Sequence, residues 1–385
     1  DQRPAGRRRR ERWSVVSATT TVRRTVRNLA DGREIIYYDD TPGAPARTTD
    51  DDRPLPERAA AGHLRYDALV GDWVAVAGHR MNRVLLPPRD ECPLCPTGRG
   101  SIATEIPDPD YDVVVIENRF PSYAPVAVDD APGEGPFEHR AALGRTEVVC
   151  FTSEHDTSFR SLSPRRVRTV IDAWADRTAR LSQIPEVEHV FCFENRGPEI
   201  GVTLHHPHGQ IYAYPYLPAR SREILAQAQA HHARTGRLLG SDLLRAEQAD
   251  GSRIVITGTH WTAYVPYAAR WPVEVHLAPH RDVPDLVALD DAERDDLATV
   301  YLDLLDRLDR YHRTEDDGPV ALPYIAAWHQ APVRQGRAVS RLHLQVVSVL
   351  RAPGTLKFLA GSESGVGGWV NDARPEAIAA RLRSL

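Results

Sequence analysis

Residues 205–212 read HHPHGQIY, and the architecture turns on what these eight residues form. If they run as a strand, side chains alternate, so His206, His208 and Gln210 share one face at a spacing of about 6.6 Å. Pro207 and Gly209 then point to the other face. Proline cannot donate to a ladder, so such a strand is expected at a sheet edge or a bulge. Glycine marks a place where a ligand or another backbone comes close. Three readings compete: a structural polar strand, a metal site using both histidines, or a split role in which one histidine holds a metal and the next attacks phosphorus.

The cysteines bear on that choice. ECPLCPTG supplies Cys92 and Cys95, with the two-residue gap that lets both thiolates reach one zinc ion. The alternative is an incidental or redox pair. The chain has four cysteines in all, too few for a disulfide scaffold, and a reducing compartment favours metal or redox chemistry for such a pair. Cys150 in TEVVCF and Cys192 in HVFCFEN lie in apolar runs and read as buried small hydrophobes. With no second close pair, the remaining ligands should be histidines or carboxylates, and His206 and His155 (in TSEHDTSF) are the candidates. Two thiolates and two imidazoles make a closed tetrahedral site, hence a structural metal. His208 is then no ligand; the metal pins His206, and with it the strand.

His208 suits phosphorus chemistry. Neutral imidazole is nucleophilic near pH 7, and attack on phosphorus divides one transfer into two easier displacements. Its other ring nitrogen must keep a proton, so a backbone carbonyl acceptor is expected there. Gln210 can donate an amide hydrogen to a phosphoryl oxygen, and Thr203 could add a hydroxyl. Arg80 and Arg83 in GHRMNR are candidate phosphate clamps, set against the plain reading of a solvated surface pair.

The rest of the chain fits an ordinary soluble globular protein. It has 385 residues, 42% apolar and 26% charged, with a net charge of −5. That length predicts two domains or one two-lobed unit, and the charge argues against a nucleic-acid binder. No apolar run is long enough to span a bilayer. The basic start, DQRPAGRRRRER, leads into no apolar segment and is expected to be a flexible tail rather than an export signal. Residues 1–60 read as an N-terminal arm, 61–222 as a first half and 223–385 as a second. Strand-like runs fill the region from RYDALVGDWVAVAGHR onward. Ser163 and Pro164 predict a helix over 164–182, and Asp290 with Glu293 predicts a capping box opening a helix to about 312. Setting SRLHLQVV beneath HHPHGQIY places Arg341 under His206, His343 under His208 and Gln345 under Gln210. This predicts an internal duplication with one degenerate half; two unrelated α+β halves are the alternative.

HPHGQIY, CPLC, YDVVVIENRFPSYAP, FENRG and LKFLAGSESG followed by ND occur here in one order. Together they resemble the galactose-1-phosphate uridylyltransferases of the histidine-triad superfamily, from about residue 65 to the C-terminus. The resemblance implies an α+β fold of two tandem histidine-triad-like halves, with antiparallel strands in an open half-barrel and helices outside. It implies transfer of a uridylyl group from UDP-glucose to galactose 1-phosphate through a histidine-bound intermediate, in a cytoplasmic homodimer with shared active sites. Carried over, His208 matches the nucleophile and Gln210 the phosphoryl contact. Cys92, Cys95, His155 and His206 match the zinc ligands. Arg80, Arg83, Asn118, Arg119, Asn195, Gly201 and Thr203 fall on nucleotide-sugar contacts. Lys357, the only lysine of the chain, falls with Phe358 and Glu363 on a tail that reaches a hexose across the dimer. Some members carry a second metal on a glutamate and three histidines. Here His329 and His343 match, but Gln345 replaces the third histidine and Glu223 is out of step, so RLHLQ is expected to be structural. Leu204 and His205 also depart from the usual pattern, which leaves the hexose open. An ADP-sugar phosphorylase or adenylyltransferase of the same superfamily is the competing reading.

Overall fold

The computed structural model describes residues 22–58, 60–78, 86–126, 133, 135–312 and 321–385. The β-branched and aromatic runs form strands: β1 (Arg23–Asn28), β2 (Glu34–Asp39), β3 (His63–Asp67), β4 (Asp72–Val76), β5 (Val113–Glu117), β6 (His139–Ala141), β7 (Arg145–Cys150), β8 (His189–Arg196), β9 (His208–Tyr214), β10 (Ile254–Thr257), β11 (Trp261–Tyr264), β12 (Val273–Pro279), β13 (Tyr324–His329), β14 (His343–Ser348), β15 (Leu350–Ala352) and β16 (Thr355–Leu356). The helices are α1 (Pro164–Leu181), α2 (Ala219–Thr235), α3 (Leu239–Asp250), α4 (Asp291–Arg310), α5 (Gly361–Val366) and α6 (Pro375–Arg383).

Eleven strands make one open antiparallel sheet in the order β1-β2-β5-β7-β9-β8-β13-β14-β12-β11-β10. Its centre is the ladder between β8 and β13. Outward from that ladder the order reads β9-β7-β5 on one side and β14-β12-β11 on the other. Each side is built in chain order as strand, strand, helix, strand, strand, with α1 in the first and α4 in the second. This is the repeat expected from the two motifs. A separate small sheet, β4-β3-β6, stands at one rim.

One face of the sheet is covered by α1 and α4 around a single apolar core. Ser163 accepts from the Arg166 amide and Pro164 takes the first turn of α1, while Asp290 and Glu293 close a full capping box on α4. Trp174 of α1, Trp328 of β13 and Trp261 of β11 meet edge to face with centroids 6.1 Å apart at each contact, joining the halves beneath the sheet. Glu147, fully buried on β7, takes both Arg177 and Arg145; paired in this way, its charge survives burial.

Two expectations change. EIIYYDD was expected in an arm, yet it forms β2, paired to β5, with Ile35 to Tyr38 all 3% exposed or less. Four apolar residues in a row suit a strand covered on both faces. The strand after Pro207 was expected at an edge, yet β9 lies between β7 and β8. Pro207 stands one residue before the ladder begins, so its missing N–H costs no rung, and its carbonyl accepts from Phe151. The true margins are protected in other ways. β1 carries Arg23, Arg24 and Arg27, each bound to an aspartate, and Arg383 of α6 donates to the Ile254 carbonyl on β10.

Candidate active site and metal centre

Alternation along β9 leaves His208, Gln210, Tyr212 and Tyr214 half-exposed on the face away from the helices, with Gly209, Ile211 and Ala213 buried against the core. Gly209 is needed there: a Cβ would lie 2.8 Å from the Phe151 ring and 2.9 Å from the Phe193 carbonyl oxygen. The close approach expected of this glycine is thus made by a ring edge and a backbone carbonyl.

The ring of His208 has a defined tautomer. Its Nδ1 lies 2.7 Å from the His206 carbonyl oxygen. A carbonyl only accepts, so Nδ1 carries the hydrogen and Nε2 keeps its lone pair. Burial holds the imidazole below its usual pKa, so it is neutral near pH 7.

Beside it, the ligand atoms of Cys92, Cys95, His155 and His206 all lie within 4.8 Å of one another, and all four residues are buried. Cys95 Sγ is 3.4 Å from Nδ1 of His155 and 3.6 Å from Nδ1 of His206. On the far side of the His206 ring, Nε2 donates to the Thr152 carbonyl at 2.8 Å, and the Tyr111 hydroxyl lies 2.9 Å from the same nitrogen. Tyr111 in turn donates to the Leu94 carbonyl, inside the Cys92–Cys95 turn. Thr152 and Tyr111 therefore aim the ring so that Nδ1 faces the sulfurs, as outer partners of metal-bound histidines do. Burial and the neighbouring Cys92 push the Cys95 thiol up to about 12. The Cys95 thiol therefore stays protonated until a cation joins it, and the donor set fits a metal ion. Thr152 and Tyr111 were not found from sequence, since each meets His206 from 54 and 95 residues away.

The remaining expected residues divide. Asn195 lies on β8 just beyond the Glu194–Gly209 pair, close to the level of His208. Asn118 follows β5, and its amide donates to Thr146, which pairs with Tyr212, so it stands farther along β9. Arg119 approaches Glu105 at 3.4 Å and lies over the Phe120 ring. Gly201 adopts the left-handed conformation at φ +82°, and the Thr203 carbonyl accepts from Leu86. In the tail, buried Lys357 pairs with Glu363 at 3.1 Å, and Phe358 is 77% exposed. Lys357 and Glu363 are thus paired within the tail. Arg80 and Arg83 lie outside the described residues.

In the second half, His329 Nε2 lies 3.0 Å from Gln345 Oε1, and Gln345 donates to Glu274 at 2.6 Å. His276 Nε2 lies 3.1 Å from the same carboxylate oxygen. Gln345 thus closes a hydrogen-bonded network in which Glu274 takes protein donors. Glu223 stands on α2, in the cleft that also holds Arg220.

Comparison with known proteins gives a consistent result. Residues 52–218 match the family model described as galactose-1-phosphate uridyl transferase, N-terminal domain, and residues 223–385 match the C-terminal domain. A galactose-1-phosphate uridylyltransferase of Streptomyces lividans is 49% identical over 317 residues, 82% of each chain. One from Thermotoga maritima is 33% identical, covering 83% of this chain and 97% of its own. A solved uridylyltransferase structure superposes with a TM-score of 0.74 at 31% identity, covering 84% of this chain and 98% of that one. An ADP-glucose phosphorylase of Arabidopsis thaliana shares the fold, at a TM-score of 0.63 and 22% identity. No helix among the described residues is long and apolar enough to cross a membrane.

Proposed function

This chain belongs to the galactose-1-phosphate uridylyltransferase family of nucleotidyltransferases, and we propose that it moves a uridylyl group from UDP-glucose to galactose 1-phosphate through a covalent intermediate on His208. The observation that carries the reading is the hydrogen bond from His208 Nδ1 to the His206 carbonyl, which leaves Nε2 free beside the Cys/His cluster. In the first half-reaction Nε2 attacks the α-phosphorus, a P–N bond forms, and the P–O bond to glucose 1-phosphate breaks. In the second, a phosphate oxygen of galactose 1-phosphate attacks the same phosphorus. The P–N bond breaks, giving UDP-galactose and free imidazole. Gln210, two residues along the same face, donates to a phosphoryl oxygen as charge builds there. Asn118, Arg119, Asn195, Gly201, Thr203, Arg80 and Arg83 are proposed as nucleotide-sugar contacts.

Zinc is the metal proposed for Cys92, Cys95, His155 and His206. Two thiolates with two imidazoles suit it, and four protein ligands leave no position for substrate, so its part is structural. The first half is taken as residues 61–222 and the second as 223–385, with 1–60 as an arm whose β1 and β2 extend the sheet. A cytoplasmic homodimer, with Lys357, Phe358 and Glu363 reaching the partner's hexose, completes the proposal; the exposure of Phe358 supports it.

The test is covalent labelling. Protein mixed with UDP-glucose labelled in the uridylyl phosphate should keep its label through denaturation, and His208→Ala should not. Label retained by His208→Ala sinks the assignment. Turnover of ADP-glucose well above that of UDP-glucose would move the protein to the adenylyl branch.

A further inference from the structure

The second half repeats more of the first than its strand order. His343 opens β14 as His208 opens β9, with Gln345 and Gln210 two positions on. Arg341 stands two residues before His343, as His206 stands before His208, and its backbone acts on the His343 ring. Arg341 itself stands where His206 would be, and its guanidinium donates to the carbonyls of Pro279 and His280. An arginine thus ties together the segment that a metal ligand ties in the first half, while the imidazole and glutamine are kept.

Near this pair opens a cleft of about 460 Å³ at the start of α2, lined by Ala219, Arg220, Arg222, Glu223, Ala226 and Arg270. Arginines such as Arg33, Arg145, Arg166 and Arg177 are locked onto carboxylates. Among the described residues, Arg220 and Arg270 have no carboxylate within ion-pair distance. Arg270 lies over the Trp369 ring, 5.5 Å from its centroid. Burial and then the Arg270 charge hold the Arg220 guanidinium below its usual pKa, against the opposing pull of the Glu274 and Glu223 carboxylates. Burial first, then neighbouring charges that include Arg220, hold His329 and His343 down as well. Arg222 is shared with Asp72 at 3.6 Å, and Glu223 is the one carboxylate in the lining. The cleft also receives the first turn of a seventeen-residue helix whose N-cap, Pro218, offers no side chain to its amides. Arg220 and Arg270 line one cleft at the positive end of a helix, an arrangement that suits an anion bound between them.

We propose that this cleft is a second anion site, taking a phosphate dianion, free or as a sugar phosphate monoester, between Arg220 and Arg270. The inference does not need uridylyl transfer, because it concerns binding away from His208. The test is titration calorimetry of the full-length, metal-loaded protein with inorganic phosphate and, separately, with a hexose 1-phosphate. In R220Q/R270Q one saturable component should weaken at least tenfold with the melting curve unchanged. Loss from both isotherms means the phosphoryl dianion alone is recognised; loss from one identifies that species as the ligand. Ala219→Asp adds a carboxylate to the lining while removing no polar contact, and should produce the same loss if the double variant folds poorly. Isotherms of Ala219→Asp that superimpose on wild type for both ligands overturn the proposal.

Discussion

A single methyl group at Gly209 would have to displace either the Phe151 ring or the backbone of β8. Overpacking of this kind costs about 1–3 kcal/mol, so Gly209→Ala should lower the denaturant midpoint and, by shifting β9, slow release of glucose 1-phosphate. An unchanged midpoint contradicts this packing. His189 supplies a pH signature. It is 2% exposed, its Nε2 meets Ser221, and burial holds its pKa down to about 4. In the unfolded chain it titrates near 6.5, so the unfolded state takes the proton first. Its stabilisation is complete above about 6.5 and is lost as pH falls toward 4, roughly 3 kcal/mol in all. His189→Gln should flatten the fall in stability between pH 6.5 and 4; an unaltered slope rules this out. His206, His208 and the cysteine pair were legible in the sequence because alternation and ligand spacing are local. Thr152 and Tyr111 were not, since nothing in their own neighbourhoods signals a histidine half a domain away.

At the level of elements, the turn bearing Cys92 and Cys95 is closed by no disulfide, and the proposed metal centre predicts that a bound ion holds it. Purified protein should contain about one equivalent of zinc per chain, and chelation should lower the melting temperature because binding is linked to folding. Cys95→Ser should lose the metal and show the same fall. Full stability with no bound metal would remove the metal centre. Helices α1 and α4 could be read from their caps and apolar stripes. Helix α2 could not, because only Leu225 and Ala228 of its seventeen residues are buried, too few to mark a face. The strand β2 was hidden for the opposite reason: buried on both sides, it shows no alternation.

For the whole molecule, the β8–β13 ladder and the Trp174–Trp328–Trp261 contacts bind the halves into one sheet over one core. We expect a single calorimetric transition for the metal-loaded protein; two well-separated transitions would show the halves to be independent. The duplication was legible because both halves keep a histidine and glutamine at one strand position. Which strands of the two halves meet was not legible, because the joining ladder pairs residues far apart in the chain, such as Phe193 with Ala327.

An open ribbon of eleven strands has two ends, and either could recruit further copies by backbone pairing. Arginines stand guard at both: three along the outermost N-terminal strand, and Arg383 laid across a carbonyl at the other terminus of the series. Growth into fibrils is thereby discouraged at the very places where an unclosed sheet invites it, which lets so wide a sheet remain a discrete particle.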